Sequence, residues 1–203
     1  MNETSLSLLH RLQSSPETDA WDRLVDLYSP LVRAWLFRYG VQQSDADDLV
    51  QEVLLSVSKD IGKFTHGGRA GAFRAWIRAI LVNRLRNYWR ARNRMPEAAG
   101  ESELARKLAE LEDPTSELSR LWNEEHDEAV LKRLLELVEP QFEPRTWEAF
   151  CRVAFEGEHP RDVAAELQIS LNAVAIAKSR VLNRLRQEAE GLVETSSDFL
   201  LGD

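Results

Sequence analysis

Cysteine is almost missing from this 203-residue sequence: Cys151 stands alone, with no partner for an intramolecular disulfide. Neither it nor the four His (His10, His66, His126, His159) falls into zinc-ligand spacing, so no metal and no cofactor is implied. Catalytic patterns are missing too. There is no phosphate-binding Gly loop with its Lys, no HExxH and no GxSxG, and Gly67-Gly68 lacks the flanking strand a dinucleotide loop needs, so the sequence does not read as an enzyme. No apolar run approaches the ~18 residues of a membrane span. The stretch Met1 to Gln13 carries Arg11 after rather than before its short apolar run, unlike a signal peptide, and the expectation is a cytoplasmic protein without a membrane partner. Seven Pro and nine Gly are too few for a disordered or fibrous chain, and 43% hydrophobic residues can bury a core. Long Val/Ile/Thr alternation is lacking as well, which leaves an all-α fold.

The most informative absence is local. The whole chain carries 26 basic and 34 acidic residues, yet residues 61–96 contain no acid at all. That segment holds Lys63, Arg69, Arg74, Arg78, Arg84, Arg86, Arg90, Arg92 and Arg94. Residues 97–143 reverse it with fourteen acids against five bases, and residues 1–60 have ten against five. A net charge of −8 therefore does not exclude a nucleic-acid partner, because a polyanion senses the patch within about 8–10 Å.

Helical punctuation orders the rest. A first helix is expected from Asp19 to Tyr39, with Leu24, Leu27, Tyr28, Leu31 and Trp35 on one face and Gly40 as its stop. A second should run from an N-cap at Ser44 to about Asp60. After the Gly-rich loop 65–71, a long helix is expected from Ala72 to about Arg94, closed by Pro96. Residues 96–113 read as a linker with room for a partly helical stretch. Asp113-Pro114 then looks like an N-cap followed by the first residue of a helix reaching Val138. Pro144 opens another, and two short helices follow, Pro160 to Leu167 and Leu171 to about Gly191, joined by Gln168-Ile169-Ser170 with Ser170 as a cap.

Three segments could carry function. In the acid-free helix, several uncompensated cations could neutralise phosphates, with Trp76 and Trp89 interleaved as stacking platforms. Phe73, Ile77, Ile80, Leu81 and Tyr88 read as its core stripe, whereas spacing alone leaves Trp76 and Trp89 open between core and base stacking. The pair of helices at 160–191 matches a helix-turn-helix, with an αα-hairpin packed on a neighbour as the plain alternative. Val174, Ala177, Val181 and Leu185 form its buried edge, and Asn172, Ile176, Ser179, Arg180, Asn183 and Gln187 lie opposite. No acid occurs from Leu167 to Gln187, as a helix in the major groove requires. Third, Asp45, Asp48, Gln51, Glu52 and Leu55 share one helix face, which on its own is usually only a solvated face.

Taken in order, Ser44 to Val53, Phe73 to Ile80 and Asn83 to Arg90 closely resemble region 2 of extracytoplasmic-function sigma factors, and the helix-turn-helix resembles their region 4. Together the two stretches cover about residues 24–95 and 115–190. The resemblance implies two small helical domains, 1–95 and 114–192, joined by the 96–113 linker and followed by a disordered acidic tail, 193–203. It implies core RNA polymerase and promoter DNA as partners and admits an anti-sigma protein. By resemblance, Asp45, Asp48, Gln51, Glu52 and Leu55 would dock on the polymerase. Arg69, Trp76, Arg78, Asn83, Arg84, Arg86, Asn87, Trp89 and Arg90 would contact the −10 element. Arg161, Ser170, Asn172, Ala175, Ile176, Lys178, Ser179, Arg180, Asn183 and Arg184 would contact the −35 element. Two features depart from the family pattern. The usual first base-reading positions hold Ala175 and Ile176, which cannot donate hydrogen bonds, and Gln168 replaces the common turn Gly, which implies either strain or an altered turn geometry there. A stand-alone helix-turn-helix regulator, or a helical adaptor that uses the acidic faces without DNA, are the competing readings.

Overall fold

A computed structural model describes residues 8–14, 18–65, 71–92, 103–190 and 192–193. All regular structure among them is helical: α1 Leu8–Ser14, α2 Thr18–Arg38, α3 Gln43–Asp60, α4 Ala72–Ala91, α5 Glu103–Glu112, α6 Glu117–Val138, α7 Pro144–Ala154, α8 Pro160–Glu166 and α9 Leu171–Ala189, with short 3₁₀ turns at Ile61–Lys63 and Glu139–Gln141. The all-α expectation holds. The end of the long basic helix at Arg94, residues 66–70 of the Gly-rich loop and nearly all of the 193–203 tail fall outside the described residues.

Two expected helix starts are displaced, each for a local reason. α3 begins two residues earlier, with Gln42 in place of Ser44 as its N-cap, because the extended Gln42 offers its carbonyl to the amides of both Asp45 and Ala46; Ser44 lies inside the first turn and caps nothing. α6 starts at Glu117 rather than Pro114. The Asp113 carboxylate turns back to accept the amide and hydroxyl of Thr115 at 2.8 and 2.7 Å, and Ser116 Oγ takes over as cap, accepting from the Ser119 amide at 3.0 Å. At α9 the expected cap is in place: Ser170 Oγ accepts from the Ala173 amide at 3.1 Å. Gly71, directly before α4, has φ of +70°, and a Cβ there would come within 2.8 Å of the Arg74 guanidinium, so the position suits only glycine.

Packing departs most from expectation in the middle of the chain. Residues 103–112, expected within the linker, form α5, and Leu108 and Leu111 are fully buried against the main core. α1 was not expected either; its Leu8, Leu9 and Leu12 are buried. α2 lies at the centre, flanked by α3 on one side and by α6 on another, while α4 packs on α3, α5 and α6. The apolar core runs without a break from Leu8 through Trp35, Phe73 and Trp122 to Leu185 and Leu192. At its middle, Trp35 of α2 meets Trp122 of α6 edge-to-face at 5.1 Å. A separate small cluster of Ala149, Val163, Ala164, Val174 and Ala177 holds α7, α8 and α9 together. Between α8 and α9, Gln168 has φ of +54°, the one non-glycine residue with positive φ among those described, so the expected turn strain is present.

Candidate polymerase and nucleic-acid interfaces

α3 buries Ala46, Leu49, Val50, Val53, Leu54 and Val57. That spacing turns Asp48, Gln51, Glu52 and Leu55 outward as one exposed stripe, on which Leu55 is 56% exposed. Asp45 leaves the stripe. It accepts from Tyr88 Oη at 2.7 Å and from Arg92 at 2.8 Å, and the Tyr88 bond, reinforced by Arg92, holds its carboxyl below the usual range. Arg92 also lies over the Tyr88 ring, 4.2 Å from its centre. The stripe is therefore an open surface with two carboxylates, an amide and one large apolar side chain.

α4 has two unlike sides. Outward lie Asn83, Asn87 and Arg90, all exposed. Towards α5 and α6 its cations are engaged. Arg74 donates to Asp127 at 2.5 Å; Arg86 makes a forked pair with Glu112 at 3.2 and 2.6 Å; Arg78 is buried and donates to the Ser119 carbonyl at 3.5 Å. Burial, and then the neighbouring Arg74, lower the pKa of Arg78. On the α3 side, Arg84 donates to Ser56 Oγ at 2.6 Å and lies 3.6 Å from Glu52. Trp89 is buried and meets Tyr88 edge-on at 4.9 Å, which places it in the core. Trp76 is half-buried and stacks on Phe64 at 4.9 Å. Arg69 lies outside the described residues.

Behind that covered flank is a buried polar node. Tyr28 Oη and His126 Nε2 are 3.0 Å apart, and His126 Nδ1 is 2.8 Å from Asp127 Oδ1, whose other oxygen takes Arg74. The carboxylate bonded to Arg74 can only accept, so Nδ1 carries the proton and Nε2 receives the tyrosine hydroxyl. Burial lowers the His126 pKa more than Asp127 raises it, and burial pushes the Tyr28 phenol up. A second node surrounds Glu188, 3% exposed on α9: Arg11 of α1 at 2.9 Å, Arg184 at 2.5 Å and Arg23 of α2 at 3.7 Å.

On α9, Asn172, Ala175, Ile176, Ser179, Arg180 and Asn183 form the exposed face with Lys178 half-buried at its border, and Arg161 is exposed on α8. Ile176 is 48% exposed, and Ser170, also exposed, spends its acceptor on the cap. Arg184 does not join them. Its guanidinium is spent on Gln141 at 2.7 Å and on Glu188, on the side turned to the body of the protein. Glu112, His126, Asp127 and Glu188, which organise the covered side, were not singled out from the sequence. Only the excess of acids in 97–143 hinted at them, together with the i,i+4 spacing of Arg184 and Glu188.

A family model, sigma-70 region 2, matches residues 24–95. The chain is 27% identical over 179 residues to the ECF RNA polymerase sigma factor SigE of Mycolicibacterium smegmatis, a match covering 88% of this chain and 64% of that protein. It is 33% identical over 97 residues to the ECF RNA polymerase sigma factor BldN of Streptomyces coelicolor, covering 47% of this chain and 36% of that one. A probable RNA polymerase sigma factor of Haemophilus influenzae is 46% identical over 55 residues, 27% of each chain. The chain thus spans less than two thirds of the length of the curated relatives it matches.

Proposed function

We propose that this chain, which belongs to the extracytoplasmic-function sigma factors, binds core RNA polymerase, directs it to promoters by contacts at −35 and −10, and helps open the DNA. Its role is non-catalytic and cytoplasmic. The observation that carries this reading is the exposed α3 stripe Asp48, Gln51, Glu52 and Leu55, inside the region 2 match, on the same chain as an acid-free recognition face. A stand-alone helix-turn-helix regulator has no use for that stripe.

Each surface suits a different part of the task. Two carboxylates beside an exposed leucine fit a basic, partly apolar partner surface, with the charges steering encounter and the leucine adding buried area. The −10 contacts fall to α4, where Asn83, Asn87 and Arg90 are open to solvent and Trp76 offers a half-covered ring. At −35, α9 enters the major groove with Ile176 suited to a thymine methyl and Arg180 to guanine or phosphate. Lys178, Ser179, Asn183 and Arg161 border the groove for phosphate contacts, whereas Arg184 holds the helix in place.

Run-off transcription with purified core polymerase on a genomic template library tests the reading. Specific transcripts that depend on the protein are the expected result. Tight, salt-dependent binding to duplex DNA without polymerase, and no transcripts with it, would point instead to the stand-alone regulator.

A further inference from the structure

Gln168 stands where the turn of a helix-turn-helix commonly carries glycine, and it keeps a left-handed backbone, with φ of +54°. α8 ends there in a motif suited to glycine: the Gln168 amide donates to the Ala165 carbonyl at 3.3 Å and the Ile169 amide to that of Ala164 at 3.0 Å. A glutamine in this conformation is strained, and such strain persists only where the surroundings fix it. Apolar packing around the turn is thin. The buried cluster there, Ala149, Val163, Ala164, Val174 and Ala177, holds nothing larger than valine, so dispersion contacts alone leave α8 room to tilt. Arg152, in the last turn of α7 with its side chain 15% exposed, supplies the missing constraint. Its Nε and Nη2 form a fork on Glu158 at 2.9 and 2.5 Å, and Nη2 also donates to Glu166 at 2.5 Å. Glu158 lies two residues before α8 and Glu166 is its last residue, so one guanidinium holds both ends of the helix.

We propose that Arg152 is a positioning residue for −35 recognition: by clamping α8 at both ends it keeps the Gln168 turn left-handed and fixes the angle between α8 and α9, so that Arg161 meets the DNA backbone while the first turn of α9 lies in the groove. The proposal rests on the reading of α8 and α9 as a DNA-binding helix-turn-helix. In that arrangement the first helix crosses the backbone and the second enters the groove, so their mutual angle decides whether both contacts form together. α9 is seated on α6 and α7 as well as on α8, whereas α8 packs on α7 and α9, which makes α8 the element whose tilt the clamp decides. Arg152 acts through these helices, with two of its three nitrogens committed to carboxylates. A lysine would keep the charge and lose the function, because an ammonium lacks the planar fork that spans two carboxylates.

The test has two arms, both on full-length variants. Amide hydrogen exchange is read on the free protein, and open-complex affinity is read with core polymerase on single-base −35 variants of a promoter that the protein transcribes. In Arg152→Ala the Gln168 and Ile169 amides are expected to exchange about threefold or more faster, and the spread of affinities across the −35 panel to narrow by about threefold or more. Arg152→Lys should behave in the same way. Adding Gln168→Gly to Arg152→Ala should recover most of the spread, because glycine takes the left-handed turn without strain. Unchanged exchange overturns the clamp, and rescue by lysine overturns the fork. An unchanged spread overturns the positioning role, as does a loss that Gln168→Gly leaves uncorrected. An even loss on every variant, with the salt slope lowered by about one, also overturns it, since Arg152 would then grip phosphate itself. Absence of transcripts from the wild-type protein falls on the proposed function instead, and the exchange arm, which needs no polymerase, still decides the clamp. If Arg152→Ala loses helicity by circular dichroism, Glu166→Gln removes one exposed arm of the clamp and carries the same comparison with a smaller narrowing.

Discussion

α4 and α9 have the same electrostatic signature in the sequence, helices rich in Arg and Asn with no acid along their first four turns, and opposite fates in the fold. On α9 the cations Lys178 and Arg180 stay on the outer side, and Arg184 alone is drawn into the body by Glu188. On α4, Arg74, Arg78, Arg84 and Arg86 are all engaged by neighbouring helices, and Arg90 stays exposed. The difference lies in what packs alongside. α9 packs on α6, α7 and α8 mainly through apolar residues, whereas α4, packed on α3, α5 and α6, meets Glu112 and Asp127, whose carboxylates match its charge. An uncompensated tally of charge along the chain thus marks a surface that binds carboxylates or phosphates, and only the tertiary contacts say which is bound in the free protein.

The contrast breaks most severely at the apolar centre, where α2 meets α6. Trp122→Ala removes the ring that packs on Trp35 and should cost about 3–5 kcal/mol in chemical denaturation, a loss no truncation on the outer α9 face should approach. Reversing Asp48 and Glu52 to Lys is expected to weaken a core-polymerase complex by roughly 2–3 kcal/mol, because like charges then meet across the interface. A double variant that competes for core as well as wild type does would remove α3 from the docking surface. For α9, Arg180→Ala should lose roughly 1–3 kcal/mol and relax one base position if the side chain reads guanine, or weaken all −35 variants evenly if it grips phosphate. Arg184→Ala should instead lower stability through the Glu188 node with base preference unchanged, and affinities on single-base −35 variants beside a thermal melt separate the two.

The smallest effect concerns pH. His126 is buried and its pKa lies below the ordinary 6.5, with Asp127 raising it, Arg74 lowering it and the Tyr28 hydroxyl bonded to its neutral Nε2. A base whose pKa is depressed on folding contributes stability that is fully present above 6.5 and declines as pH falls through the window between 6.5 and the lower folded value. Denaturation midpoints at about pH 7.5 and 5.5 should therefore differ by more in wild type than in His126→Gln. Equal differences would show that the imidazole stays out of this balance.

The exposed half of these surfaces was legible in the sequence. Apolar spacing along α3 and α9 fixes which side faces the core, so Asp48, Gln51, Glu52, Asn172, Ile176 and Arg180 were placed outward by period alone, and Ser170 was a readable cap. The covered half was not. Arg74 meets Asp127 from 53 positions away and Arg86 meets Glu112 from 26, and no local period reports such a distance. Arg184 was misplaced because one further turn beyond Arg180 carries a side chain round towards the buried edge of Val181 and Leu185. α5 was hidden in a stretch whose acids resemble those of a linker, although Leu104, Leu108 and Leu111 keep a helical period within it.

The N-terminal helix α1 makes one of its main attachments at the far end of the chain, where Arg11 meets Glu188 across 177 residues. During synthesis α4 emerges before α5 and α6, and the roughly 47 residues from its end to the end of α6 take about 2–10 s to be added at typical ribosomal rates. For that interval the nascent chain displays an acid-free basic helix without its cover, among ribosomal RNA and messenger. Packing of α5 and α6 on α4 can come only after α4 itself has been made.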